Sequence, residues 1–222
     1  MPTILLVRHA QASFGAEDYD VLSERGSLQV AALAESLSRR GVVPTRVVCG
    51  SLRRQRDTAL PWSAGAGVTV DERWNEYDDD DVLSHHSSSV ARLGGGAKTE
   101  LSSREFQGVL DEALSSWMEA GVSGPAREPW PAFLARVDAA VDAVAGELTR
   151  GETAMVFSSS GVIAAVAASL LGAPEHTYVA LNRVSVNTAI TKIVVGSRGR
   201  TLVSYNEHGH LEEAGGDLLT YR

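Results

Sequence analysis

Ile4-Leu5-Leu6-Val7-Arg8-His9-Ala10 decides the architecture. Four apolar residues, two of them β-branched, run directly into a charged pair. A short apolar run of this kind suits a strand buried on both faces, as in a parallel sheet. Such sheets bind ligands beyond the carboxyl ends of their strands, which is where Arg8 and His9 emerge. Taken alone, the pair marks no more than the end of a strand, so its meaning depends on the rest of the chain.

Working outward, Gln11 to Val21 reads as a loop, and Ser23 can cap a helix in which Val30, Leu33 and Leu37 form one apolar face. Gly41 closes that helix and Pro44 prevents its resumption. Val47-Val48-Cys49 reads as a second strand, followed by a short helix carrying Arg53 to Ala59, and Val68-Thr69-Val70 as a third. This alternation predicts right-handed crossovers and a mainly parallel sheet. Residues 75–130 interrupt it with Asp78-Asp79-Asp80-Asp81, His85-His86, a serine run and Gly94-Gly95-Gly96. A helix then follows, with Phe106, Leu110, Ala113, Leu114 and Trp117 along one side. An insertion between core elements has the usual form of a lid over an active site. Pro131 starts another helix with Leu134, Val137, Val141, Val144 and Leu148 at helical spacing. Ala154 to Phe157 reads as a strand leading through Ser158-Ser159-Ser160-Gly161 into an Ala-rich helix ending near Gly172. Ala189 to Val195 and Thr201 to Tyr205 read as closing strands.

The 222 residues suffice for one α/β domain spanning 1–222. The expected fold is a three-layer sandwich with a mostly parallel sheet and residues 75–130 as a helical lid over its carboxyl edge. A formal charge of −8 and a pI near 5.2 argue against general nucleic-acid or anionic-membrane binding. An acidic protein that binds phosphate must concentrate its arginines, and Arg53, Arg54 and Arg56 form the densest group. The single cysteine, Cys49, fits a reducing compartment. No apolar run has the form of a signal peptide or the length of a membrane span, so a cytoplasmic location is expected. No Cys/His cluster has zinc-site spacing.

Several stretches stand in a telling order: Val7-Arg8-His9-Ala10-Gln11; Asp20 to Gly26 with Gln29; Ser51 to Ala59; Arg73-Trp74-Asn75-Glu76; Val156 to Ile163; and Asn187-Thr188-Ala189. In this order and spacing they resemble the histidine phosphatase superfamily, also called phosphoglycerate mutase-like, over about residues 3 to 211. The resemblance implies that His9 attacks phosphorus and becomes a phosphohistidine, which requires a neutral imidazole with one lone pair aimed at the phosphate. It implies that Arg8 and Arg54 hold the phosphoryl oxygens, for which forked guanidinium groups are suited. The family pattern SxLxRAxxTA falls on Gly50 to Ala59, with Gln55 where alanine is commoner. Glu76 matches the family's proton donor, with Glu72 as fallback. No metal or other cofactor is implied.

One position departs from the pattern. The family's strand usually ends in Ser-His-Gly, and alignment on Gly161-Val162-Ile163 places Ser159 where that second histidine should stand. His176 reads as a loop residue, and His208 and His210 as structural or solvated. The hydroxyls of Ser158, Ser159 and Ser160 with Gly161 at a helix start would offer a neutral phosphate cradle, with Ser159 and Ser160 the phosphate contacts. Losing a preorganised oxyanion donor costs about a hundred- to a thousandfold in rate, so phosphate binding should survive and turnover should be slow or absent. Gly15 and Gln11, where mutases usually have asparagine and glutamate, disfavour a true mutase. Two readings remain: a metal-free phosphatase acting on a small phosphorylated substrate or a phosphoprotein, and a weak or inactive family member that binds such a ligand. The Asp78 to Asp81 run reads as a solvated loop and Gly94-Gly95-Gly96 as a lid hinge.

Overall fold

The computed structural model describes residues 1–13, 20–65, 67–86 and 103–221. Gly15, Gly94-Gly95-Gly96 and the serine run lie outside the described residues. Strand β1 (Thr3–Arg8) alternates its side chains between two buried faces, as a period of two requires. Ile4 and Leu6 meet Val48, Ala154, Val156 and Ile193 on one face. Leu5 and Val7 meet Val47, Cys49, Met155 and Phe157 on the other. These partners come from β2 (Arg46–Cys49), β4 (Thr153–Ser158) and β5 (Ile190–Gly196). With β3 (Thr69–Val70) and β6 (Gly199–Glu207) they form a sheet in the order β3-β2-β4-β1-β5-β6. The β3–β2, β2–β4 and β4–β1 pairs are parallel. β5 runs antiparallel to both β1 and β6, so the mostly parallel expectation holds with one reversed strand.

Helices cover both faces and make three layers. Helices α1 (Glu24–Arg39) and α2 (Arg53–Ala59) supply Leu33, Leu37 and Ala59 to the Leu5 side. On the Ile4 side, α5 (Trp130–Glu147) and α6 (Ser160–Leu170) supply Phe133, Val137, Val141, Val162 and Ile163. The chain therefore leaves β1 over one face and β4 over the other. Between these adjacent strands lies the switch point at which open α/β sheets bind ligands.

The local signals act as their chemistry requires. Ser23 Oγ accepts from Gly26 N at 3.0 Å at the start of α1, and Gly41 takes φ +65 after its end. Pro131 occupies the first turn of α5. Two expectations are corrected. The acidic run is exposed over Asp78 to Asp80 but is not a loop: Asp78 caps α3 (Asp79–Ser84) by accepting from Asp81 N, and Arg127 bridges Asp78 and Asp81 at 2.6 and 3.1 Å. Carboxylates in a first helical turn complement the dipole there. His176 is not in a loop but in α7 (Pro174–Val184), which Pro174 opens.

Within the proposed lid, α4 (Ser103–Ala120) buries Val109, Leu110, Ala113, Leu114 and Trp117 in the main core. Trp117 stacks with Tyr77, Trp130 and Phe133 at 5.2–5.4 Å between ring centroids, and Trp130 meets Tyr178 of α7 at 4.6 Å. Tilted and edge-on aromatic pairs at these distances add to burial. Helix α8 (Gly209–Ala214) packs against α1.

Candidate active site

His9 follows β1 directly, and its backbone N–H donates to Ser158 O at 2.8 Å, tying the ends of β1 and β4 together. The imidazole is buried. Its Nδ1 lies 2.8 Å from Ala10 O, and a carbonyl can only accept, so Nδ1 carries the hydrogen. Its Nε2 lies 3.3 Å from Arg54 Nε, and a guanidinium can only donate, so Nε2 presents a lone pair. Burial first, then the charges of Arg54 and Arg8, hold the His9 pKa well below 6.5. The geometry and the charges define one species, a neutral imidazole with its lone pair on Nε2.

Arg54 sits on α2 beside that lone pair. Its Nη1 donates to Asp20 Oδ1 at 2.6 Å, and Asp20 also accepts from the Arg53 and Arg54 backbone N–H groups at 2.5 and 3.4 Å. Asp20 therefore fixes both the helix start and the guanidinium. Arg53 points outward to Asp57, and Arg56 is exposed. Arg8 lines the neighbouring cleft, with Nη1 donating to Ser185 O at 2.5 Å and Tyr221 O at 2.8 Å. Its charge acts on both His9 and Glu76.

Glu76 approaches from the opposite side, on the segment after the turn Glu72–Trp74. Its Oε2 accepts from Gly161 N at 3.0 Å and its Oε1 from Tyr77 N at 3.2 Å. Burial raises the Glu76 pKa above 4.5, against the pull of the Gly161 N–H and the Arg54 charge. Glu72, the fallback, is exposed. The Glu76 position depends on a missing side chain. A Cβ at residue 161 would stand 2.4 Å from Glu76 Oε1, 2.5 Å from Tyr77 Cε1 and 2.9 Å from Tyr178 Oη. Gly161→Ala is therefore expected to displace the Glu76 carboxyl and cost about 1–3 kcal/mol of overpacking. Thermal denaturation should show Tm lowered by about 2–12 °C; an unchanged Tm would contradict the close fit.

The three serines do not form one cradle. Ser158 Oγ donates to Trp74 O at 2.7 Å, so its hydrogen is already used. Ser159 Oγ accepts from Gln55 Nε2 at 2.9 Å, and Ser160 lines the cleft. The start of α6 is occupied by Glu76's own carboxyl group. Sequence reasoning assigned no role to Asp20, Gln55, Thr58 or Asn187. Thr58 Oγ1 accepts from Ala10 N at 3.0 Å, and Asn187 Nδ2 donates to His9 O at 3.0 Å, so both brace the histidine's backbone. Asn187 Oδ1 in turn accepts from Thr220 Oγ1, and Gln29 Nε2 donates to Thr220 Oγ1 and Leu218 O. Asp20 and Asn187 stood within the quoted motifs; the signal for a bracing role is a fully buried polar run, as at Asn187-Thr188 between Val186 and Ala189.

The cleft next to Arg8 measures about 490 Å³ and is lined by Gln11, Tyr77, Gln107, Ser160, Asn182 and Tyr221, among others. That volume lies in the ordinary range for a small-molecule site. Among the described residues no cluster of His, Cys, Asp and Glu could hold a metal ion, and no helix is long and apolar enough to cross a membrane.

Known proteins agree with this architecture. The structure superposes on phosphoserine phosphatase from Entamoeba histolytica with a TM-score of 0.66 at 17% identity, covering 95% of this chain and 100% of that one. Bacillus stearothermophilus YhfR gives 0.69 at 18%, covering 95% and 99%. A mycobacterial glucosyl-3-phosphoglycerate phosphatase gives 0.58 at 22%, covering 92% and 98%. These likenesses establish the phosphoglycerate mutase-like fold. A search of curated protein sequences finds no match. The profile of the histidine phosphatase superfamily (branch 1) matches residues 4–208, and the chain belongs to that family.

Proposed function

We propose that the protein is a phosphatase that cleaves a phosphate monoester through a phosphohistidine at His9. The observation that carries this reading is the His9 tautomer, with Nδ1–H held by Ala10 O and the Nε2 lone pair facing Arg54. Nε2 attacks phosphorus, the P–N bond forms and the P–O bond to the leaving group breaks. The Glu76 carboxyl gives its proton to the departing oxygen. Water then attacks the phosphohistidine, Glu76 takes the water's proton, and the P–N bond breaks to release inorganic phosphate. Arg54 moves its donors from His9 and Asp20 to the phosphoryl oxygens, and Arg8 adds positive charge from the cleft wall. The phosphatases among the structural neighbours support this class of reaction.

Ser159 takes the place of the family's second histidine, a neutral donor where a charged one is usual, and sets a slow rate. The 490 Å³ cleft, lined by Arg8 and Arg183 together with amides and hydroxyls, suits a small polar leaving group better than a protein surface. The cell compartment we infer is the cytoplasm, on the strength of the single, unpaired Cys49. The test is intact-protein mass spectrometry after mixing with a generic phosphoryl donor, with release of phosphate followed alongside. A transient gain of one phosphoryl group with steady release supports the phosphatase. A stable adduct without release, or phosphate protecting against heat with no adduct, supports the phosphate-binding alternative that Ser159 favours.

The pH dependence follows from the two groups. His9 must be neutral to attack, so the rate falls as pH drops through its lowered pKa. Glu76 must be protonated to assist departure, so the rate falls as pH rises through its raised pKa. The profile of kcat/KM is expected to be a bell with its acid limb well below pH 6.5 and its alkaline limb above pH 4.5. An acid limb at or above 6.5 would contradict the neutral histidine.

A further inference from the structure

Ser159 occupies the N-cap position of α6, yet its side chain caps nothing in that helix. Serine is favoured at N-caps because its oxygen accepts from a backbone N–H of the first turn. Here one first-turn donor, Gly161 N, is taken by Glu76 Oε2, and Ser159 Oγ caps no other. The Ser159 hydroxyl is thereby released from its usual task.

It is then held by Gln55. The amide of Gln55 is fully buried and clamped on three sides. One Nε2 hydrogen goes to Trp74 O at 3.1 Å and the other to Ser159 Oγ at 2.9 Å. The amide oxygen packs against the Gly50 backbone, where an added Cβ would stand 2.0 Å from it. The amide oxygen has no hydrogen-bond partner among the described residues, but reversing the amide would set that oxygen against the Trp74 carbonyl, which favours the orientation shown. Both Nε2 hydrogens are spent, and Ser159 Oγ can only accept from Gln55. The serine's own hydrogen is left to donate elsewhere. Ser159 follows directly on Ser158, whose carbonyl accepts from His9 N, so it stands beside the strand end that carries the nucleophile. Gln55 itself follows Arg54, whose guanidinium touches His9 Nε2.

We propose that Gln55 is a positioning residue that holds the Ser159 hydroxyl as a hydrogen-bond donor to the phosphoryl group in front of His9. The inference rests on the proposed phosphoryl site at His9. A buried amide does here what a charge would otherwise do by attraction: it fixes which way the donor faces. The pair spans 104 positions in sequence, so its two members act as one device only in the folded chain.

The test is a double-mutant cycle read by calorimetric titration with orthovanadate, a mimic of the transferring phosphoryl group. A hydrogen bond to a charged group corresponds to about tenfold or more in affinity. Ser159→Ala is expected to weaken vanadate binding about tenfold. Gln55→Met, similar in volume but without donors, is expected to weaken it by a similar factor, and the double variant to be no weaker than either single one. Should Gln55→Met fail to fold, Gln55→Asn, one methylene too short to reach Ser159, takes its place in the cycle. Losses that multiply to about a hundredfold, or a Gln55 variant with parental affinity, would overturn the inference. So would a parent protein that does not bind vanadate. Phosphate release that survives loss of the His9 imidazole would instead remove the phosphohistidine reading, and the vanadate cycle would still decide the role of Gln55.

Discussion

Replacing His9 by alanine is expected to abolish the phosphoryl adduct and to lower phosphate release by about 10⁴-fold or more, the scale on which enzymes lose rate when the attacking atom is removed. The expectation rests on the absence of a substitute among the described groups around the imidazole. The Cys49 thiol is buried, and its pKa is pushed up to about 11, so it supplies almost no thiolate near neutral pH. The described hydrogen-bond partner of the Ser159 hydroxyl is the Gln55 amide, which is not a base. The fold should tolerate the change, because the bonds that brace residue 9 run through its backbone, from His9 N to Ser158 O and from Asn187 Nδ2 to His9 O. Vanadate affinity measured on the same variant separates the two roles of the site. Binding that persists without any adduct assigns His9 to chemistry. An adduct that persists in His9→Ala would refute the mechanism.

Glu76→Gln should produce a loss that depends on the leaving group. A positioned general acid contributes about 10²–10⁴-fold, and only where the departing oxygen needs a proton. Alkyl phosphates should lose that full factor, whereas p-nitrophenyl phosphate, whose phenolate departs unaided, should form the phosphohistidine at nearly the parental rate. Glutamine keeps an oxygen for Gly161 N, so the start of α6 stays capped and a general collapse is not expected. The alkaline limb of the pH profile should vanish with the carboxyl group while the acid limb set by His9 remains. Equal losses for both classes of ester would show that Glu76 acts through structure and not as the acid.

The parts of this molecule that declared themselves in the sequence are those governed by neighbours along the chain. The alternation in β1, the Ser23 cap, the stop at Gly41 and the proline opening α5 are local rules, and each operates as local chemistry requires. Helix α7 was concealed because Gly172 closes one helix only two residues before Pro174 opens the next, and that proline reads as readily as a loop. The acidic run was concealed because its meaning depends on Arg127, 46 residues away. The reversed direction of β5 is a property of the hairpin between Gly196 and Gly199 and of the sheet that receives it. In the site, Arg54 and His9 could be paired through a motif, but the clamp on Arg8 could not. It consists of backbone carbonyls of Ser185 and Tyr221, and a carbonyl carries no residue-specific signature. The same holds for Gln55 and Ser159. Each looks like a small departure when read alone, and their hydrogen bond exists only because α2 meets the start of α6 in the folded chain.

The aromatic cluster around Trp117 changes what the inserted helix can be. A lid that swings must part from its seat at little cost, yet α4 seats Trp117 among Tyr77, Trp130 and Phe133 in the same core that supports the sheet. Segments held by buried apolar contacts open only with the larger cooperative unit to which they belong. Tyr77 itself lines the cleft, and Leu110 of α4 lines it too. Two of the side chains that line the cleft are therefore also part of the core that holds the fold together. A substitution at Tyr77 or Leu110 that reshapes the cleft also changes the thermal tolerance of the molecule, so that at these two positions both properties vary together.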